Sequence, residues 1–196
     1  MGGGDKPLLS LGGRSLMDWQ IDSLTPQVEA LAISANGDAA RFAHTGLPVL
    51  PDLQPGQLGP LAGILAGLDW ASGLTGIKAL LTVAGDCPFL PADLAARLAE
   101  PMEAGAMAAI AASGGRQHPV IGLWRLELAE GLRRFLVDEG ERKAGFWAKR
   151  AGAVEMAWPD QPVDPFFNLN RPEDLDSAGG MMEQWMAQAG RGRLDD

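Results

Sequence analysis

Six consecutive residues, Ala79-Leu80-Leu81-Thr82-Val83-Ala84, carry no charge and run directly into Gly85-Asp86-Cys87-Pro88. An uncharged run of that length, closed by turn residues, predicts a strand over 78–84 covered on both faces. Such a strand needs helices above and below it, which restricts the chain to an α/β architecture. It also singles out Asp86, because open α/β sheets bind ligands just beyond the carboxyl ends of their strands.

The rest of the chain repeats the alternation. Strands are expected over 28–34, 47–50, 106–112, 119–124 and 154–157, with a short apolar segment at Leu8, Leu9 and Leu11 before a Gly12-Gly13 turn. Ser15-Leu16-Met17-Asp18 has capping-box spacing and predicts a helix to about Leu24, ended by Pro26. A short helix is expected over 38–43. Gly59-Pro60 opens another, with Leu61, Leu65 and Leu68 on one face. Further helices are expected over 91–100, 126–137, 143–150 and 172–189. The pattern predicts a three-layer α/β sandwich with a mostly parallel, dinucleotide-binding-like sheet. Residues 1–190 read as one domain and 191–196 as a polar tail.

Composition narrows the function. The 196 residues carry 16 basic and 25 acidic side chains, a net charge of −9, which disfavours nucleic acid and anionic membrane surfaces as partners. No apolar run reaches the 18 residues of a membrane span, and no signal-peptide pattern is evident. The lone cysteine, Cys87, excludes an internal disulfide and fits a cytoplasmic setting. With only two histidines, His44 and His118, a Cys/His zinc cluster cannot be assembled, so a metal would be a hard ion on carboxylates, Mg²⁺ by default.

Several residues could carry chemistry, each beside a plainer reading. Asp86 reads as a Mg²⁺ ligand or as a turn residue. Gly2-Gly3-Gly4-Asp5-Lys6 could present backbone N–H groups and a lysine to phosphate, or be a loose terminus. Asp52 could reach the same sheet edge as Asp86, or be a turn residue before Pro55. Asn36 could read a base or ribose, or simply turn the chain with Gly37. Asn168 and Asn170 point the same way if extended, and could bind a substrate's polar groups, or belong to a turn preceding the Pro172 helix. His118 reads as a structural or a catalytic histidine. Arg133, Arg134, Arg142, Lys143, Lys149 and Arg150 form either a solvated face or a polyphosphate contact. Cys87 reads as a small packed residue.

Taken in order, Met1-Gly2-Gly3-Gly4-Asp5-Lys6-Pro7-Leu8-Leu9, Ser34-Ala35-Asn36, Gly59-Pro60-Leu61-Ala62-Gly63, Gly85-Asp86-Cys87-Pro88-Phe89-Leu90-Pro91, His118-Pro119 and Asn168-Leu169-Asn170-Arg171-Pro172-Glu173-Asp174-Leu175 resemble the molybdenum cofactor guanylyltransferases. These belong to the wider nucleotidyltransferases of the nucleotide-diphospho-sugar transferase type. The resemblance implies transfer of GMP from GTP to molybdopterin-bound molybdenum cofactor, with release of pyrophosphate. It implies that Lys6 binds the nucleotide phosphates, that Asp86 holds Mg²⁺, and that Asn36 and Asp52 contact the nucleotide. Asn168, Asn170 and His118 would lie on the molybdopterin side. Molybdoenzymes or cofactor-biosynthesis proteins would be further partners.

Two departures stand out. Ser34 occupies a nucleotide-contacting position that is often Asn in the family. In the family, a strand and a short loop also precede the Met-Gly-Gly segment at which this sequence opens. The resemblance therefore implies about 15–20 upstream residues that complete the sheet and the nucleotide loop. Two alternatives remain: a molybdopterin cytidylyltransferase or related nucleotidyltransferase, and a non-catalytic domain that binds a nucleotide or a partner.

Overall fold

The computed structural model describes residues 6–52, 59–169 and 172–188. A short 3-10 turn, Lys6–Leu8, leads into a hairpin of β1 (Ser10–Leu11) and β2 (Arg14–Ser15), turned by Gly12 and Gly13 at φ 59° and 81°. Helix α1 (Leu16–Leu24) follows. Its capping box is complete, with the Ser15 side chain accepting from the Asp18 amide and the Asp18 carboxylate accepting from the Ser15 amide.

β3 (Ile33–Ser34) pairs in parallel with β4 (Val49–Leu50), the two joined through a 3-10 segment, Ala39–Thr45. Helix α2 (Pro60–Ser72) then leads to β5 (Ala79–Thr82), and α3 (Leu94–Glu103) to β6 (Ala108–Ser113). A tight turn at Gly114 and Gly115 returns the chain as β7 (Arg116–Arg125). Helices α4 (Ala129–Val137) and α5 (Ala144–Arg150), strand β8 (Val154–Trp158) and helix α6 (Pro172–Gln188) complete the order.

The main sheet runs β5-β7-β6-β8. β5, β6 and β8 share one direction, and only β7 runs against them. Side chains alternate across the sheet, as period 2 requires. Leu80, Ala108, Ile110 and Trp124 face a layer of α2, α4 and α5. Leu81, Ala109, Ala111 and Ile121 face the other layer, with Leu94 and Leu98 of α3, Trp158 and Phe166. A third cluster joins α1 to α6, with Trp19 edge-on to Trp185 at 6.4 Å. The three-layer α/β expectation is met.

Two details differ from the sequence reading. The expected strand 28–34 is reduced to Ile33–Ser34, and β3–β4 and β5 are not hydrogen-bonded to one another. Among the described residues the expected continuous sheet is therefore broken, with the β3–β4 pair standing apart from the four-stranded sheet and a cleft between them. β7 also starts earlier than expected, at Arg116, so His118 lies inside the strand. The β6–β7 register slips between Ile110 and Ala111, which accommodates Pro119 in a strand interior. Met1–Asp5, Asn170 and the 191–196 tail lie outside the described residues.

Candidate active site

The cleft between the two sheets has a volume of about 650 Å³. One wall is the chain around β3, the other is β5, and α2 closes it from below. Small residues on α2 permit the close approach. A Cβ on Gly63 would meet the Ser34 Oγ at 2.6 Å, and one on Gly67 would meet Leu80 at 2.8 Å. The N-terminus of α2, with Gly59 at φ 70° and Pro60 as its first residue, also borders the cleft. Helix N-termini favour anions there.

Asp86 stands where the sequence put it, in the turn beyond β5, and its residue lines the cleft together with Asp52 and Asn168. Burial pushes its carboxyl pKa above the usual value, while its own backbone amide and the Lys6 ammonium pull the other way. Lys6 therefore acts electrostatically on the carboxylate singled out from the sequence. Pro7 packs close to the turn, since a Cβ on Gly85 would meet its ring at 3.0 Å.

Asn36 and Asp52 lie two residues beyond the paired ends of β3 and β4. Parallel register brings them together. The Asn36 amide donates to the Asp52 carboxylate at 2.7 Å, and the Asp52 backbone N–H donates back to the Asn36 Oδ1 at 2.9 Å. Arg41 donates to the Asn36 carbonyl at 2.5 Å. The two residues thus form one locked, exposed unit at the rim.

Asn168 is tied to the Asp86 turn. The Cys87 thiol donates to its Oδ1 at 3.0 Å, and the Leu169 N–H donates to the Asp86 carbonyl at 2.9 Å. Cys87 is buried and its thiol pKa is pushed up by burial, so it packs and donates. His118 is 7% exposed and stands outside the cleft lining, with its ring against Phe166.

Three of the basic group, Arg133, Arg134 and Arg150, are paired with carboxylates. Arg133 binds Asp69 at 2.6 Å, Arg150 binds Glu139 at 2.8 Å, and Arg134 lies 3.8 Å from Glu130. For these three the solvated-face reading holds. The sequence reading passed over Gln20. This buried α1 side chain donates to the carbonyls of Ala84 at 2.7 Å and Cys87 at 2.9 Å, holding the turn that carries Asp86. The only signal for it was a polar residue between apolar positions of an amphipathic helix.

Among the described residues, no three His, Cys, Asp or Glu side chains gather as a metal cage. One half-buried carboxylate on the cleft wall, Asp86, fits a hard cation such as Mg²⁺, which takes one or two carboxylates and completes its shell with phosphates and water. No helix among these residues is long and apolar enough to cross a membrane.

Comparison with known proteins adds the relationship. Residues 1–151 match the model of the MobA-like NTP transferase domain. The chain is 53% identical over 180 residues to a molybdenum cofactor guanylyltransferase of Bradyrhizobium sp. (strain ORS 278), covering 91% of this chain and 85% of that one. It is 48% identical over 187 residues to another from Mesorhizobium japonicum, covering 93% and 90%. In structure it is similar to molybdopterin-guanine dinucleotide biosynthesis protein A from Archaeoglobus fulgidus, with a TM-score of 0.73, 23% identity and coverage of 93% and 92%. It also shares its fold with 2-C-methyl-D-erythritol 4-phosphate cytidylyltransferase from Thermus thermophilus, with a TM-score of 0.64, 18% identity and coverage of 93% and 96%.

Proposed function

Because the chain belongs to the molybdenum cofactor guanylyltransferases, within the MobA-like NTP transferases, we propose that it transfers GMP from GTP to molybdopterin-bound molybdenum cofactor in the cytoplasm and that the cleft is where it does so. A terminal phosphate oxygen of molybdopterin attacks the α-phosphorus of GTP. The bond from that phosphorus to the bridging oxygen breaks, and pyrophosphate leaves with the electron pair. The product passes to molybdoenzymes or to cofactor-biosynthesis proteins.

In-line displacement needs alignment and charge neutralisation rather than a covalent nucleophile. Asp86 would hold Mg²⁺, which would supply neutralisation of phosphate charge. Lys6 adds a positive charge on the phosphate side. The Asn36–Asp52 unit orients the nucleoside. Asn168 faces the acceptor, and Asn170 belongs with it by spacing. The observation that carries this reading is that Asp86, Asp52 and Asn168 all line one cleft, with Asn168 fastened to the Asp86 turn and Lys6 acting on Asp86.

Pyrophosphate release with molybdopterin is the test, GTP against CTP. Release with GTP is expected. Equal or greater release with CTP would make the chain a cytidylyltransferase. Nucleotide binding without release would make it a binding domain.

A further inference from the structure

Three polar side chains that the transfer scheme leaves without a role as a group meet where β6 turns into β7. Ser113, the last residue of β6, is 3% exposed. Its hydroxyl donates to the Asp164 Oδ1 at 2.7 Å and lies 2.8 Å from the His118 Nε2. A hydroxyl has one proton. With that O–H directed at Asp164, the imidazole must donate its Nε2–H to the Ser113 oxygen.

The trio has the composition of a hydrolytic triad without its wiring. A nucleophilic serine gives its proton to histidine, and the acid orients the histidine. Here the serine O–H points at the acid as a hydrogen-bond donor and stays on the serine, and the histidine donates to the serine oxygen. Burial lowers the His118 pKa, consistent with a neutral ring in the donor tautomer. What remains for the trio is mechanical.

Asp164 begins the loop that returns to the cleft. Its Oδ1 also accepts from the Phe166 N–H at 2.9 Å. The Phe166 ring packs 5.1 Å from His118 and 5.4 Å from Trp158. Past Phe166, Asn168 takes the Cys87 thiol and Leu169 bonds the Asp86 carbonyl. The loop is therefore fastened at one end to Ser113 and at the other to the turn carrying Asp86. Without the first fastening, the second would have to fix Asn168 by itself.

We infer that Ser113, His118 and Asp164 are positioning residues that hold the 164–169 loop so that Asn168 stands beside Asp86 in the cleft. This rests on the reading of that cleft as the transfer site. Ser113→Ala removes the shared hydroxyl, Asp164→Ala removes the acceptor, and Asp164→Asn keeps an acceptor oxygen in place. Exchange of the Leu169 amide, measured without substrates, is expected to quicken by at least about tenfold in the two alanine variants, each of which loses two hydrogen bonds, and to return close to wild type in Asp164→Asn. Amides of β6 should keep their protection. In steady state the alanine variants should raise KM for molybdopterin by at least about tenfold and leave KM for GTP within about twofold. Unchanged Leu169 exchange, or an equal rise in both KM values, would overturn the inference. Should Ser113→Ala fail to fold, the Asp164 pair decides it. If the wild-type chain shows no transfer at all, the transfer-site reading falls, and the exchange result still judges the loop.

Discussion

Gln20→Met tests how the turn bearing Asp86 is held. Gln20 is 5% exposed on α1, and its amide bridges the carbonyls of Ala84 and Cys87. Methionine fills similar space but donates nothing. The Ala84 carbonyl keeps the Cys87 N–H at 3.2 Å, so its loss is one bond, about 1 kcal/mol. The Cys87 carbonyl loses its donor inside the protein, which costs about 1–3 kcal/mol. The expected destabilisation is thus about 2–4 kcal/mol. A central loss of about 3 kcal/mol lowers Tm by roughly 6–12 °C for a chain of this size. Urea titration should show a lower midpoint with an unchanged slope. At a temperature where the variant is still folded, the Mg²⁺ concentration for half-maximal turnover should rise, because the turn no longer holds Asp86 still. Thr25→Ala, on an exposed bond at the end of the same helix, should stay within about 0.5 kcal/mol of wild type. A Gln20→Met midpoint equal to that of Thr25→Ala, with unchanged Mg²⁺ dependence, would refute the reasoning.

Two glycine substitutions should move stability in opposite directions. A Cβ on Gly122 would stand 2.6 Å from the Ala109 carbonyl and 3.2 Å from the Trp124 ring, so Gly122→Ala should cost about 1–3 kcal/mol in thermal melts. A Cβ on Gly131 of α4 meets Trp147 at an ordinary 3.5 Å, so Gly131→Ala should gain about 0.5–1 kcal/mol from helix propensity. His118 gives a pH signature. Burial lowers its folded pKa below the usual value, so the unfolded chain binds the proton more readily and stability falls as pH drops below about 6.5. The fall ends at the folded pKa, and His118→Asn should flatten this part of a stability-against-pH curve measured in urea.

Features that depend on neighbouring residues were legible in the sequence. The uncharged run 79–84 marked β5, and the Ser15–Asp18 spacing marked the start of α1. Asp86 followed from its place beyond that strand. The pairing of Asn36 with Asp52 was not anticipated, because it depends on the parallel register of β3 and β4. Gln20 meets its partners 64 and 67 residues away, and Ser113 meets Asp164 across 51, distances that no local pattern spans. Pro119 hid the start of β7, because a proline argues against a strand interior unless a register shift lies beside it. The basic residues near 133–150 read alike as a phosphate site or a solvated face until Asp69 and Glu139 were seen against them.

The central claim is that Asp86 couples metal to nucleotide in the cleft. Calorimetric titration of GTP into the wild-type chain and Asp86→Asn, each with and without Mg²⁺, tests it most directly. The side chain lies at a strand end outside the packed clusters, so the variant should fold normally. Wild type should bind GTP more tightly with Mg²⁺ than without. In Asp86→Asn that gain should vanish, since a neutral amide cannot replace the carboxylate on the metal, while metal-free affinity should be no weaker than in wild type. An Asp86→Asn chain that keeps the full Mg²⁺-dependent gain would contradict the account.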